Sequence, residues 1–102
     1  MSSRLDLHNK LVSILGTNNV YYQPPENLKM TYPCIRYNLT KVKVVKASDV
    51  VHVLHLQYEI MLISTKYMDS LSVRILCEIP QTIMERVYIS DGMYHYVYSH
   101  YE

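Results

Sequence analysis

Val50–Ser64 reads VVHVLHLQYEIMLIS, the run in this chain that best joins length, apolar character and residues suited to a pleated strand. At about 3.3 Å per residue such a strand spans roughly 50 Å, more than a domain of 102 residues needs to bury its core, so one end is expected to project. The period of two puts Leu54, Leu56, Tyr58, Ile60 and Leu62 on one face, which reads as core. His55, Gln57, Glu59, Met61 and Ile63 share the other, mixed face.

Outward from this strand toward the N-terminus, Ala47, Ser48 and Asp49 form the expected turn. Before it, CIRYNLT at 34–40 alternates Ile35, Tyr37 and Leu39 against Cys34, Arg36 and Asn38, and KVKVVK at 41–46 continues it. The two runs make a long hairpin from about Ile35 to Ser64, whose distal part from about Lys41 to Leu54 should stand clear of the core. Further back, QPPENLKMTYP contains Pro24, Pro25 and Pro33, which rule out a helix there and favour an extended loop. Val20 to Tyr22 is a short extended piece. The chain starts with an amphipathic helix: Ser2 or Ser3 caps it, Asp6 lies in its first turn, Leu7, Leu11, Ile14 and Leu15 form its buried stripe, and Gly16 stops it.

On the C-terminal side, Asp69 or Ser70 caps a second helix to about Glu78, with Leu71, Ile75, Leu76 and Ile79 inward and Pro80 ending it. Met84 to Ile89 and Met93 to Tyr101 form a second hairpin about Ser90-Asp91-Gly92. Tyr94, Tyr96 and Tyr98 share one face of the last strand, and His95, Val97, Ser99 and Tyr101 the other. The expected order is α-β-β-α-β-β: an α+β fold in which a small antiparallel sheet of about four main strands carries both helices on one face.

The totals bound the chain to one domain, 1–102, without a linker. A formal charge of +1 gives no global field toward nucleic acid or an anionic membrane. Two cysteines, Cys34 and Cys77, make no disulfide framework and are expected as buried free thiols; with no leader-like apolar segment, a soluble intracellular product is expected. Eleven tyrosines without any Phe or Trp suit a binding surface, and equally a β-rich domain that draws on strand-forming aromatics.

No constellation points to catalysis, a metal or a cofactor. His52 and His55 are an odd number of residues apart, as are His95 and His100, so neither pair faces one ion on a regular strand. Cys34 and Cys77 have no nucleophile motif around them, and Gly16 and Gly92 stand alone, which leaves no phosphate loop. Arg36, Tyr37, Lys41 and Lys43 hint at single-strand binding but read more simply as a solvated strand face. Asp69, Glu78 and Glu85 do not converge as an acid–base pair.

The N-terminal helix ending in ILG, the segment NVYYQPPENLKMTYPCIRYNL, the long hairpin and the closing DGMYHYVYSHYE together resemble a family of small tailed-bacteriophage structural proteins, the tail terminator and tail completion (head–tail joining) proteins. The resemblance covers nearly the whole chain, and its most specific parts are YYQPP…MTYPCIRY and the terminal strand. It implies a virion protein of the tail or neck, assembled in the host bacterial cytoplasm. Such a subunit forms a ring, expected as a hexamer, that caps the tail tube, ends its polymerisation and docks the head. The implied partners are its own copies, the tail tube protein and head connector or neck proteins, with no specific nucleic acid and no membrane. Contact residues expected on this reading are Pro24, Pro25, Lys41, Lys43, Lys46, His52, Tyr94, Tyr96 and Tyr98. A neck protein seated between portal and tail, and a small nucleic-acid-binding accessory protein, are the alternatives.

Overall fold

The structure, a computed structural model, describes residues 4–24, 32–66 and 70–102, and over 51–54 the backbone alone. Its elements are α1 (Arg4–Leu15), β1 (Val20–Tyr22), β2 (Cys34–Ala47), β3 (Val50–Ser64), α2 (Ser70–Glu78), β4 (Thr82–Ser90) and β5 (Met93–Tyr101). The strands form one five-stranded sheet in the order β1-β2-β3-β5-β4. The class is α+β as expected, but the sheet is mixed: β1 runs parallel to β2, pairing Val20, Tyr21 and Tyr22 with Ile35, Arg36 and Tyr37. A parallel pair needs a crossover of about a dozen residues rather than a tight turn, and residues 23–33 supply it.

One face of the sheet carries the core. Ile35 and Tyr37 of β2 lie opposite Leu62 and Ile60 of β3, which lie opposite Tyr96 and Tyr98 of β5. Leu7, Leu11, Ile14 and Leu15 of α1 join the same cluster, as do Ile75 of α2 and Ile79 just beyond it, so both helices cover this face. Fully burying one such aliphatic side chain contributes about 1.5–3 kcal/mol, which makes this cluster the main source of stability. The buried stripe of α1 matches its sequence pattern residue for residue. Gly16 closes the helix with φ at 80° and donates its N–H to the Val12 carbonyl at 2.8 Å, a conformation that favours glycine.

Ile75 of α2 and Ile79 just after it are buried and Leu71 is half-buried, whereas Leu76 faces outward at 39 % exposure, contrary to the inward place expected for it. Ser72 is buried in its stead. Arg74 donates to Glu78 at 2.6 Å and to the Ile14 carbonyl at 3.0 Å, tying α2 to the last turn of α1. Cys34 is buried and free as expected, and burial pushes its thiol up to about 11. Cys77 is exposed, because it lies on the solvent side of α2. The helix-capping candidates Ser2, Ser3 and Asp69 lie outside the described residues.

β2 and β3 outrun the rest of the sheet. β5 pairs with β3 over Gln57–Ser64, and Leu56 and Glu102 exchange one further backbone pair at 3.3 and 2.9 Å. Beyond that the β2–β3 hairpin continues alone to its Ser48-Asp49 turn, where both residues take positive φ. The molecule measures 51 Å along its longest axis.

Candidate functional site

The arm is built by a register shift. From Cys34 to Leu39 the odd residues of β2 include the core positions Ile35, Tyr37 and Leu39. Thr40 is then an extra residue: Leu39 registers with Tyr58 and Lys41 with Gln57. Its hydroxyl donates to the Gln57 carbonyl at 3.0 Å, which holds the bulge. Past the bulge, Val42 registers with Leu56, placing it on the core side, while Lys41 and Lys43 register with Gln57 and His55 on the open side. The arm therefore starts with Val42 and Val44 on the side continuous with the core face and Lys41 and Lys43 on the side continuous with the open face. A second shift, between Val45 and Lys46, puts the extra residue on β3, so Lys46 stays on the side of Val42 and Val44 while Val45 and Ala47, with Val50 opposite Ala47, lie on the side of Lys41 and Lys43. Val42 and Val44 on the core side and Val45 and Val50 on the open side are all exposed, at 50, 43, 40 and 68 %.

At the root of the arm, on the open side, Lys41, Lys43, His55, Gln57, Tyr101 and Glu102 line a shallow hollow of about 280 Å³ with Leu56. Two ammonium groups and an imidazole around it suit a carboxylate or other anion offered by a partner, and no nucleophile–base pair stands beside them.

Two titratable groups of the interior, Tyr37 and His100, are tied up in structural bonds. Tyr37, fully buried, brings its hydroxyl 2.7 Å from His8 Nδ1 and accepts from Arg4 at 3.3 Å; Arg4 also stacks over Tyr22 at 4.4 Å. Burial raises the Tyr37 phenol above its ordinary value of 10.0, against the pull of Arg4. At the other edge, His100 Nδ1 lies 3.0 Å from Thr82 Oγ1 and its Nε2 3.7 Å from Glu102. Hydroxyl, imidazole and carboxylate stand in the order of a nucleophile–base–acid relay. The Thr82 hydroxyl, however, donates to the Pro80 carbonyl at 3.3 Å, and the three groups serve to clamp the start of β4 onto the end of β5. Among the described residues no group of three or more His, Cys, Asp or Glu could hold a metal ion.

Of the expected contact residues, Lys41, Lys43 and Lys46 are exposed on the arm, and Pro24 is half-buried beside β1. Pro25 and the side chain of His52 lie outside the described residues. Tyr96 and Tyr98 correct the expectation: both are fully buried against the helices, donating to the carbonyls of Lys66 at 2.8 Å and Ser72 at 2.9 Å. Tyr94, half-buried, packs on the same cluster. These tyrosines are core because the face they share is the one the helices cover.

The sequence reading missed two surfaces. His55 joins the lysines at the arm root, and β4 is an edge strand with Ile83, Met84, Val87, Tyr88 and Ile89 all exposed. Apolar residues at both odd and even positions of β4 were the available sign, since a strand with one solvated face alternates. On the open face Tyr88 stacks on His95 at 4.8 Å, and Arg86 lies 5.7 Å from the Tyr88 ring. Comparison with protein-family models, curated proteins and solved structures gives no match.

Proposed function

We propose that this chain is a structural subunit of a tailed-bacteriophage virion, a tail terminator or tail completion protein that assembles into a hexameric ring on the end of the tail tube. The observation that carries the reading is the arm. A two-stranded ribbon that exposes Val42, Val44, Val45 and Val50 together with Lys41, Lys43 and Lys46 contributes little to its own chain's core and offers a ready surface for a neighbour. A ring requires heterologous contacts between unlike patches that close by rotation, and an arm reaching past its own domain onto the next supplies one. The near-neutral net charge suits partners that are proteins. The finer role, capping the tube and docking the head, rests on the resemblance of the YYQPP…MTYPCIRY and DGMYHYVYSHYE segments.

The test is electron microscopy of the purified protein mixed with tail tubes from the phage that encodes it. Ring density at one tip and tubes of limited length are expected. Bare tubes of unlimited length would refute the terminator role, and binding to the portal complex would then assign the neck role instead. Strong nucleic-acid binding that falls steeply with salt would refute both.

A further inference from the structure

β4 is the last strand of the sheet, nine residues long, and from Ile83 to Ser90 every residue is exposed. It is an edge that can pair with another strand. What it can pair with is constrained by its own bulge. Met84 registers with Tyr98 and Arg86 with Val97, which leaves Glu85 as the extra residue. Thr82, Met84, Val87 and Ile89 accordingly share the helix-side face, registering with His100, Tyr98, Tyr96 and Tyr94; Ile83, Arg86 and Tyr88 share the open face.

Two copies of this strand fit each other in a register that pairs opposite charges. A two-fold axis normal to the sheet keeps the faces aligned, and in an antiparallel ladder opposed residues must share a face. With the axis between Glu85 and Arg86, Glu85 of each copy meets Arg86 of the other. Met84 then meets Val87, Ile83 meets Tyr88 and Thr82 meets Ile89, each pair on a common face. A slip of one residue either way sets Arg86 against Arg86 or Glu85 against Glu85, and also opposes residues of different faces. Charge and face select the same alignment.

We infer that β4 joins β4 of a second copy of this chain in antiparallel register about the Glu85–Arg86 step, making one continuous sheet across a two-fold dimer. The contact uses the edge of the sheet opposite β1 and β2 and does not rest on the ring reading. A dimer could stand while tubes stay bare, and a ring could form from a protein that is monomeric when free.

The experiment is sedimentation of the purified full chain over a concentration series. Wild type is expected to be dimeric, and Glu85→Arg and Arg86→Glu each to raise the dissociation constant at least tenfold. An equimolar mixture of the two variants should regain the dimer, because one brings two positive and the other two negative charges to the same register. A monomeric wild type, a dimer indifferent to both variants, or a mixture that stays monomeric would each overturn the inference. A second readout needs no variant: amides of Thr82–Ile89 are expected to exchange more slowly in concentrated than in dilute protein. Equal exchange at both concentrations would overturn it as well.

Discussion

His100 is where burial and charge oppose each other most directly in this molecule. Its Nδ1 pairs with the Thr82 hydroxyl at 3.0 Å and its Nε2 faces Glu102 at 3.7 Å. The carboxylate favours protonation, but burial outweighs it and holds the imidazole below its ordinary value of 6.5. The unfolded chain thus takes up a proton at a pH where the folded one does not. Stability from this group is complete above 6.5 and is lost as pH falls from there toward the lower folded value. Thermal melting followed from pH 7.5 to 5 should show that loss, and His100→Gln should flatten it; an unchanged slope would mean another group is responsible. The tyrosines carry a different lesson. Their shared face at 94, 96 and 98 was legible from alternation, but whether that face was buried was not. In a chain without Phe or Trp, tyrosine has to fill the aromatic core positions, with its hydroxyl led out to a backbone carbonyl. Tyr98→Phe should therefore cost about 1 kcal/mol in urea denaturation, the net worth of one hydrogen bond, with little loss of packing.

At the scale of elements, the helices and hairpins were legible because their signals are local. The α1 stripe, Gly16, the Ser48-Asp49 turn and the Asp91-Gly92 turn all fall where the sequence places them. The parallel β1 was not, since nothing within Val20–Tyr22 specifies the direction of a partner that begins at Cys34. The bulges were hidden as well. Strict alternation through Thr40 would carry Lys41 and Lys43 onto the face of Ile35, Tyr37 and Leu39, whereas the extra residue sends them to the open side. A bulge is a decision made by two strands together, and one strand's pattern does not record it. The turn at Gly92 gives an element-scale prediction: its φ of 74° is left-handed, and a Cβ there would meet nothing within 4 Å. Gly92→Ala should cost about 1–2 kcal/mol through the backbone alone, and urea denaturation should show no change in m-value.

For the whole molecule, the question is what the arm contributes to the chain that carries it. The core cluster draws on α1, β1, the proximal halves of β2 and β3, α2 and β5, with Leu39 and Leu56 packed at its margin. Among the described side chains, none between Lys43 and His55 belongs to it, and all of them are exposed. An isolated two-stranded ribbon is at best marginally stable in water, so this one adds little to folding and exposes valines that cost solubility. A partner that covers it is the economical reason for keeping it. Replacing residues 43–55 by Asn-Gly would join Val42 to Leu56 through a two-residue turn of the kind antiparallel strands favour, leaving the Leu56–Glu102 backbone pair in place. The shortened chain should unfold within about 1 kcal/mol of the parent, in line with surface changes that touch no core residue. It should also fail to form density at tube tips under the electron microscope. If it loses its fold, the arm is part of the core after all; if it still caps tubes, the ring is built from the sheet body and β4, and the arm must serve the head side of the joint.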